Sequence, residues 1–341
     1  MGGNFPAAPP RMPQAVIRTR APVDDQANHF LSNLGMSEID WLIIDPLSVG
    51  DAYQTLSLLP EFRRKHMAPG ARLFYMCSDR AAPIVEMFGA VDVVVGHRVD
   101  YNICYLFAER YGLAPGVPVV MGPAMYAGGW LQRLLDHGLI SALHARKLIL
   151  GLDLDCAIHH AEPSDQMRRD ADETARAHGV ESGRSLLIVN HATTMKPLPV
   201  EAFAEIVAQF PGPVFTDTTI NPSALIPGSK PIAIPLNQMI PIAEQFGQVL
   251  PLRSGIVDLI ADARTRIFSI YPRPTDAQSW VTDRAGWVGA YRNATLEKMG
   301  LTGRAVERPI LLAADDDIAA ISRRIAAAFA YNGLTKLKGV A

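Results

Sequence analysis

The chain has 341 residues, 49% of them hydrophobic and 19% charged, with 32 Lys+Arg against 34 Asp+Glu and a formal net charge of -2. This length predicts a large core and about two domains, and the balanced charge gives no reason to expect nucleic acid as a partner. No run reaches the roughly 20 apolar residues of a membrane span. The 3 cysteines, Cys77, Cys104 and Cys156, are scattered without CxxC pairing, which predicts a reducing compartment, no zinc site and a soluble cytoplasmic chain.

Met1 to Pro22 is rich in Pro, Ala and Arg and lacks a signal-peptide core, so residues 1–37 read as a flexible tail. Asp40–Ile44 is a short apolar run suited to a buried parallel strand. The polar loop Asp45–Asp51 leads into a helix over Ala52–Lys65, where Pro60 predicts a kink or a split. Arg72–Met76 reads as a strand, Pro83–Phe88 as a helix stopped by Gly89, and Val91–Val95 as a strand. A helix over Asn102–Tyr111, a weak strand over Val117–Met121, and helices over Trp130–Leu135 and Ser141–Leu150 follow. Asp153–Pro163 is irregular, and Ser164–His178 is a charged helix ended by Gly179. The domain boundary is expected near Gly183, giving domains over 38–182 and 183–316.

The second half alternates again. Ser185–Val189 is a strand, Pro199–Gln209 a helix, Pro213–Thr216 and Ile232–Ile234 strands, and Met239–Phe246 a helix. Val249–Leu252 leads into Arg253-Ser-Gly-Ile-Val-Asp258, and Arg266–Tyr271 is a further strand. Trp280, Trp287 and Tyr291 mark an aromatic stretch, and Ile310–Leu312 a short strand. Asp317–Tyr331 is an amphipathic helix, expected to pack back on the first half. Strand–helix alternation in both halves predicts an α/β fold with two parallel sheets.

Open α/β sheets bind ligands beyond the carboxyl ends of their strands. Polar residues at those ends are Asp45, Ser48, Gly50 and Asp51 in the first half. The second half offers Asn190, His191, Thr193, Thr194 and Lys196, then Thr216 and Asp217, then Arg253, Ser254, Gly255 and Asp258. Ser254 is a good helix N-cap, Gly255 permits close approach to the backbone, and Arg253 is a forked cation suited to phosphate. Asp258, one turn on, could accept sugar hydroxyls. An anionic donor on the second half and a base on the first fit a transfer reaction between them. The adjacent pair His159-His160 does not share a helix or strand face and predicts no metal site. No P-loop, G-x-G-x-x-G or G-x-S-x-G motif occurs.

These residues resemble a family. Val49-Gly50-Asp51, ahead of Leu58-Leu59-Pro60, looks like the N-terminal "iGD" motif of heptosyltransferase-like glycosyltransferases, family 9. Thr193-Thr194-Met-Lys196-Pro-Leu-Pro199 resembles their "TTxxK" loop, and Arg253-Ser254-Gly255-Ile-Val-Asp258 stands where they carry "DSGxxH". The last is closer to an "RSGxxD" variant of bacterial glycosyltransferases, and the similarity spans roughly Trp41 to Tyr271. It implies a GT-B fold, two Rossmann-like domains facing across a cleft, with an acceptor domain first and a nucleotide-sugar domain second. It further implies an inverting reaction without a metal or resident cofactor, the nucleotide-sugar being a co-substrate.

Residue by residue, the resemblance makes Asp51 the general base, with Asp45 its rival, and Ser48 and Gly50 part of the acceptor loop. Thr193, Thr194, Lys196, Thr216, Asp217, Arg253, Ser254, Gly255 and Asp258 would serve the donor. Arg253 and Asp258 replace the family's aspartate and histidine, so the donor is expected to differ from ADP-heptose. The acceptor would be a cell-surface glycan, a glycolipid or a precursor, and the reaction a step of polysaccharide biosynthesis. That chemistry suits a cytoplasmic protein, including one peripherally attached to the inner face of the membrane. A nucleotide-sugar 2-epimerase and a non-catalytic nucleotide-sugar binder are the alternatives. The sequence is silent on the oligomeric state.

Overall fold

The computed structural model describes residues 29–46, 48–97, 113–121, 131, 134, 139–192, 197–222, 225–271, 295–301, 303–313 and 316–333. The helix expected over Asn102–Tyr111 and the aromatics Trp280, Trp287 and Tyr291 lie outside these residues.

In the first half, β1 (Trp41–Asp45), helix α1 (Val49–Leu56), α2 (Leu59–His66), β2 (Leu73–Ser78), α3 (Ala82–Val85), β3 (Val93–His97), β4 (Val119–Val120) and α4 (Ala142–Ile149) follow in order. The strands form one parallel sheet, β3-β2-β1-β4, with Ile43 opposite Tyr75 on one side and Val119 on the other. Strand β1 is buried along its whole length, which is why it reads as a continuous apolar run. The helix expected over 52–65 is split. Pro60 sits in the first turn of α2, where its missing N–H has no intrahelical partner to lose. Residues 29–33 are helical, and Phe30, Leu31, Leu34 and Met36 pack against Leu42, Ile44, Phe74 and Met76 on one face of this sheet.

Helix α5 (Asp165–His178) precedes the second sheet, which holds β5 (Ser185–Val189), β6 (Val214–Asp217), β7 (Lys230–Ile232), β8 (Gly247–Pro251), β9 (Arg266–Ile267) and β11 (Val306–Glu307). Its order is β11-β9-β8-β5-β6-β7, all parallel. Helices α6 (Ala204–Gln209), α7 (Met239–Phe246), α8 (Gly255–Leu259) and α9 (Leu296–Met299) complete it, with a small parallel pair of β10 (Ile270–Tyr271) and β12 (Ile310–Leu311). The strand expected over Arg266–Tyr271 is thus interrupted at Phe268–Ser269. It keeps alongside β8, since the Phe268 N–H donates to the Val249 carbonyl at 2.8 Å and the Arg253 N–H to that of Ile270 at 2.8 Å.

Two placements correct the sequence reading. The final helix, α10 (Ile318–Tyr331), packs on the second half rather than back across the first. Its buried stripe, Ile321, Ile325 and Phe329, sits with Phe203, Phe210 and Phe268, and Phe329 stacks on Phe268 at 4.0 Å between centroids. The chain enters this helix from β12, already in the second half, and the short connection sets it down there. Helix α5, expected in the first half, also lies on the second. Met167, Ala171 and Ala175 are its buried face, and its Asp172 and Thr174 bond Gln245 and Gln238 at 2.8 and 2.9 Å. The chain therefore crosses between halves in the irregular stretch after α4, ahead of the boundary expected at Gly183.

One of the apolar clusters runs through both halves, joining Trp41, Ile43 and Tyr75 to Leu187, Phe215 and Val249. No helix among the described residues is long and apolar enough to cross a membrane.

Asp40, just ahead of β1, ties together the amino-terminal ends of the two inner strands, β1 and β2. Its carboxylate accepts from the Ser37 N–H at 2.8 Å, the Arg72 N–H at 2.7 Å and the Arg72 guanidinium at 2.7 Å. Burial pushes this carboxyl up, but the Arg72 guanidinium and the two backbone N–H groups outweigh it and hold it well below the usual range. A carboxyl depressed on folding stabilises the fold above its unfolded value, about pH 4, and that contribution is lost as pH falls below it. Denaturant midpoints of Asp40→Asn should therefore lie below those of the native chain at neutral pH, and the gap should narrow below about pH 4. A gap that stays constant to pH 2 would contradict this role for Asp40.

Candidate functional site

The strand ends of both sheets converge on one cavity of about 310 Å³. Ser48 and Val49, at the start of α1, and Arg80, after β2, line it from the first half. His191 follows β5, Asp217 and Thr219 stand at the end of β6, and Ser254, Gly255 and Ile256 open α8 from the second. Ile234, Leu236 and Met239 supply an apolar side.

Ser48 is the N-cap of α1 and Asp51 its third residue. Both the Ser48 hydroxyl, at 2.7 Å, and the Ser48 N–H, at 3.3 Å, donate to Asp51 Oδ2. The other oxygen, Oδ1, accepts from Arg146 of α4, whose side chain is 1% exposed against 32% for Asp51. Ser48 thus lies on the cavity wall and Asp51 behind it. Asp45, the rival base, is fully buried and accepts from the Thr55 hydroxyl at 2.6 Å and the Tyr75 hydroxyl at 3.2 Å. Burial, then the Asp45 carboxylate, push the Tyr75 phenol well up, so that it remains a donor. Asp45 shapes the loop.

Glycine meets glycine where the halves touch. A Cβ on Gly255 would lie 2.3 Å from the Gly50 nitrogen, and one on Gly50 would lie 2.5 Å from the Gly255 Cα. Only bare backbone lets α1 and α8 approach this closely. Beside that contact, Arg253 and Asp258 are both buried and paired at 2.6 Å. Gln54 of α1 donates to Asp258 Oδ2 at 3.2 Å and accepts from Arg146 Nη1 at 3.1 Å, extending a polar chain to Asp51. Burial pushes the Asp258 carboxyl up, against the opposing pull of Arg253. Asp262, also fully buried, accepts from the Tyr53 hydroxyl at 2.8 Å and the Ala161 N–H at 2.6 Å, and His160 Nδ1 lies 2.5 Å from its other oxygen.

Several sequence expectations are corrected by this geometry. Arg253 does not present an open fork to the cavity. Its Nη2 is closed on Asp258 and its Nη1 donates to the Ser254 carbonyl at 2.5 Å. Asp258, held by Arg253 and Gln54, does not line the cavity and offers no wall for sugar hydroxyls. Thr216 is buried, with its hydroxyl 2.6 Å from that of Ser229, because strand alternation turns it away from the face that carries Asp217. Ser254 has the extended backbone of an N-cap, but its hydroxyl makes no cap bond and is buried without a hydrogen-bond partner among the described residues. Thr193, Thr194 and Lys196 lie outside the described residues. His159 and His160 serve different carboxylates, Glu61 and Asp262.

Ser48, Asp217, Ser254 and Gly255 are therefore brought together on one cavity, with Gly50 and Asp51 immediately behind. Sequence reasoning passed over Arg80, Thr219, Gln54 and Arg146. Arg80 follows a predicted strand and was accessible to the strand-end rule; Gln54 and Arg146 lie inside helices, which that rule does not search.

No family model matches the chain, and a search of the curated proteins finds no match. Solved structures do match. A family 9 glycosyl transferase from Veillonella parvula DSM 2008 superposes with a TM-score of 0.58 at 14% identity, covering 87% of this chain and 98% of that one. The ADP-heptose LPS heptosyltransferase II of E. coli gives 0.56 at 13%, covering 86% and 99%. The iron-containing dodecameric heptosyltransferase TibC in complex with ADP-D-beta-D-heptose gives 0.52 at 13%, covering 88% and 78%. These likenesses establish the fold: α/β, of the two-unit GT-B kind expected from the sequence.

Proposed function

We propose that the protein is an inverting, metal-independent glycosyltransferase moving a sugar from a nucleotide-sugar to a cell-surface glycan, a glycolipid or a precursor. The observation that carries this reading is the one cavity at the strand ends, with a hydroxyl–carboxylate pair on one side and an unpartnered serine hydroxyl on the other. The GT-B fold and the order of the three motifs support it.

The donor's diphosphate is assigned to the second half, against Ser254, Gly255 and the Thr193-Thr194-Met-Lys196 loop, with Asp217 beside it. The acceptor is assigned to the first half. A sugar hydroxyl is a weak nucleophile at neutral pH and needs a base in reach. Asp51 is that base, reached through Ser48: the acceptor proton passes to Ser48 Oγ as the Ser48 proton passes to Asp51 Oδ2. The new bond forms at the anomeric carbon while the bond to the diphosphate oxygen breaks, and the diphosphate departs as an anion. Arg253, closed on Asp258, braces the donor segment from behind instead of meeting the diphosphate. A cytoplasmic site at the inner membrane face suits such an acceptor.

Thermal unfolding in a panel of ADP-, UDP-, GDP- and CDP-sugars tests the donor side. A true donor at one hundred times its Kd should stabilise the fold by about 2.7 kcal/mol. NMR of the product formed with an added glycan fraction should show an inverted anomer. Epimerised sugar without acceptor, or stabilisation without any turnover, would replace transfer by one of the other two activities.

A further inference from the structure

Beside the Ser48–Asp51 pair, the cavity wall carries a second proton-bearing device, the His191–Asp217 pair. His191 Nε2 lies 2.9 Å from Asp217 Oδ2, and both residues are more than nine-tenths buried. The pair is rigid from both ends. Asp217 Oδ1 accepts from the Thr219 N–H at 3.0 Å and the Thr219 hydroxyl at 2.6 Å, so the carboxylate cannot swing. The backbone carrying His191 is pinned next door, where the Asn190 amide donates to the Leu198 carbonyl at 2.8 Å and accepts from the Leu198 N–H at 2.9 Å.

A carboxylate at Nε2 fixes the proton there and turns the chemistry of the ring over to Nδ1. Nδ1 has no hydrogen-bond partner among the described residues, and His191 lines the cavity. Strands β5 and β8 are neighbours, with Val189 opposite Pro251, so His191 and Ser254 leave the sheet side by side. The unpartnered Ser254 hydroxyl belongs to that same wall. Among the described residues, the charged side chains on the wall are Asp217 and Arg80. Behind it, Asp51 is paired with Arg146 and Arg253 with Asp258. Asp217 is the counter-charge of an imidazolium here, and Arg80 opposes one until an anion enters.

We propose that His191, oriented by Asp217, is the proton-linked anion anchor of this cavity. It takes up a proton at Nδ1 when a diphosphate group enters, donates that N–H to a phosphate oxygen, and gives the proton back when the diphosphate product leaves. The proposal rests on the reading that the cavity takes a nucleoside diphosphate.

The test is calorimetric titration of the full-length protein at pH 7.5 with ADP, UDP, GDP and CDP and with the matching nucleosides, in buffers of different ionisation enthalpy. The native protein should take up a fraction of a proton approaching one with the diphosphate it prefers, and none with the nucleoside. His191→Gln should abolish that uptake and weaken diphosphate binding by about tenfold or more, the worth of a charge-assisted hydrogen bond, while binding the nucleoside as before. Asp217→Asn, which keeps the size of its side chain, should reduce the uptake and serves if the first variant fails to fold. Titration of the ligand's own phosphate is common to native and variant proteins and cancels between them. Equal affinity and equal proton uptake in native and His191→Gln proteins would overturn the proposal and leave the diphosphate site standing. Equal weakening for nucleoside and diphosphate without any uptake would make His191 a neutral hydroxyl contact and overturn it too. Failure of the native protein to bind any of the four diphosphates would remove the donor-site reading itself.

Discussion

Asp51→Asn is expected to lower sugar transfer by about 10²- to 10⁴-fold, the usual contribution of a general base. The substitution keeps an acceptor oxygen for the Ser48 hydroxyl and N–H but leaves the nearly buried Arg146 facing a neutral amide. Folding stability should therefore drop as well, by about 1–3 kcal/mol. The two effects separate cleanly, because nucleoside diphosphates are assigned to the other half and their affinity should hold. Asp45→Asn makes the contrasting case: it disturbs the buried bonds to Thr55 and Tyr75 and should act on stability first. If the Asp51→Asn enzyme transfers sugar at close to the native rate, Asp51 is a helix-cap and ion-pair residue and the base stands elsewhere.

Asp258→Ala should cost about 3–5 kcal/mol of folding stability in denaturant titrations, because it strands the Arg253 guanidinium in a buried setting. Replacing both partners by apolar side chains, Arg253→Met with Asp258→Leu, should recover most of that loss, since a buried pair is stabilising mainly against the removal of one member. The double variant probes more than stability. It cuts the chain Arg253–Asp258–Gln54–Arg146–Asp51, which crosses from the second half to the first. An Asp258→Ala protein as stable as the native one would show that water reaches the guanidinium and that the pair is not sealed.

Much of the scaffold was legible because it depends on local pattern. Ser185–Val189 and Met239–Phe246 have the bounds the apolar runs predict, and Pro60 divides two helices as its missing N–H requires. What failed concerns partners distant in sequence. An apolar stripe on the last helix shows that one face is buried, not which sheet covers it, and Phe268 does so. Arg253 looked like a free fork because nothing in its neighbourhood announces that Asp258, on the turn that follows, folds back to close it. The strand-end rule collected Thr216 and Asp217 together, yet period-two alternation sends one into the interior and the other to the cavity. His191 was in reach of that rule, but its pairing with Asp217 needed the adjacency of β5 and β6.

The contact between Gly50 and Gly255 sets how the molecule can open. Two stretches of main chain touching without side chains between them have no soft material to deform, and any translation of one half along the other drives backbone into backbone. Tyr53 and Ala161, both anchored on Asp262, hold the same neighbourhood from a second point. Motion compatible with both is rotation about this spot, as a jaw turns on its joint. Residues close to the fulcrum, Ser48 and Ser254 among them, would then keep their separation through the swing. An opening of that kind would leave the groups at the joint undisturbed.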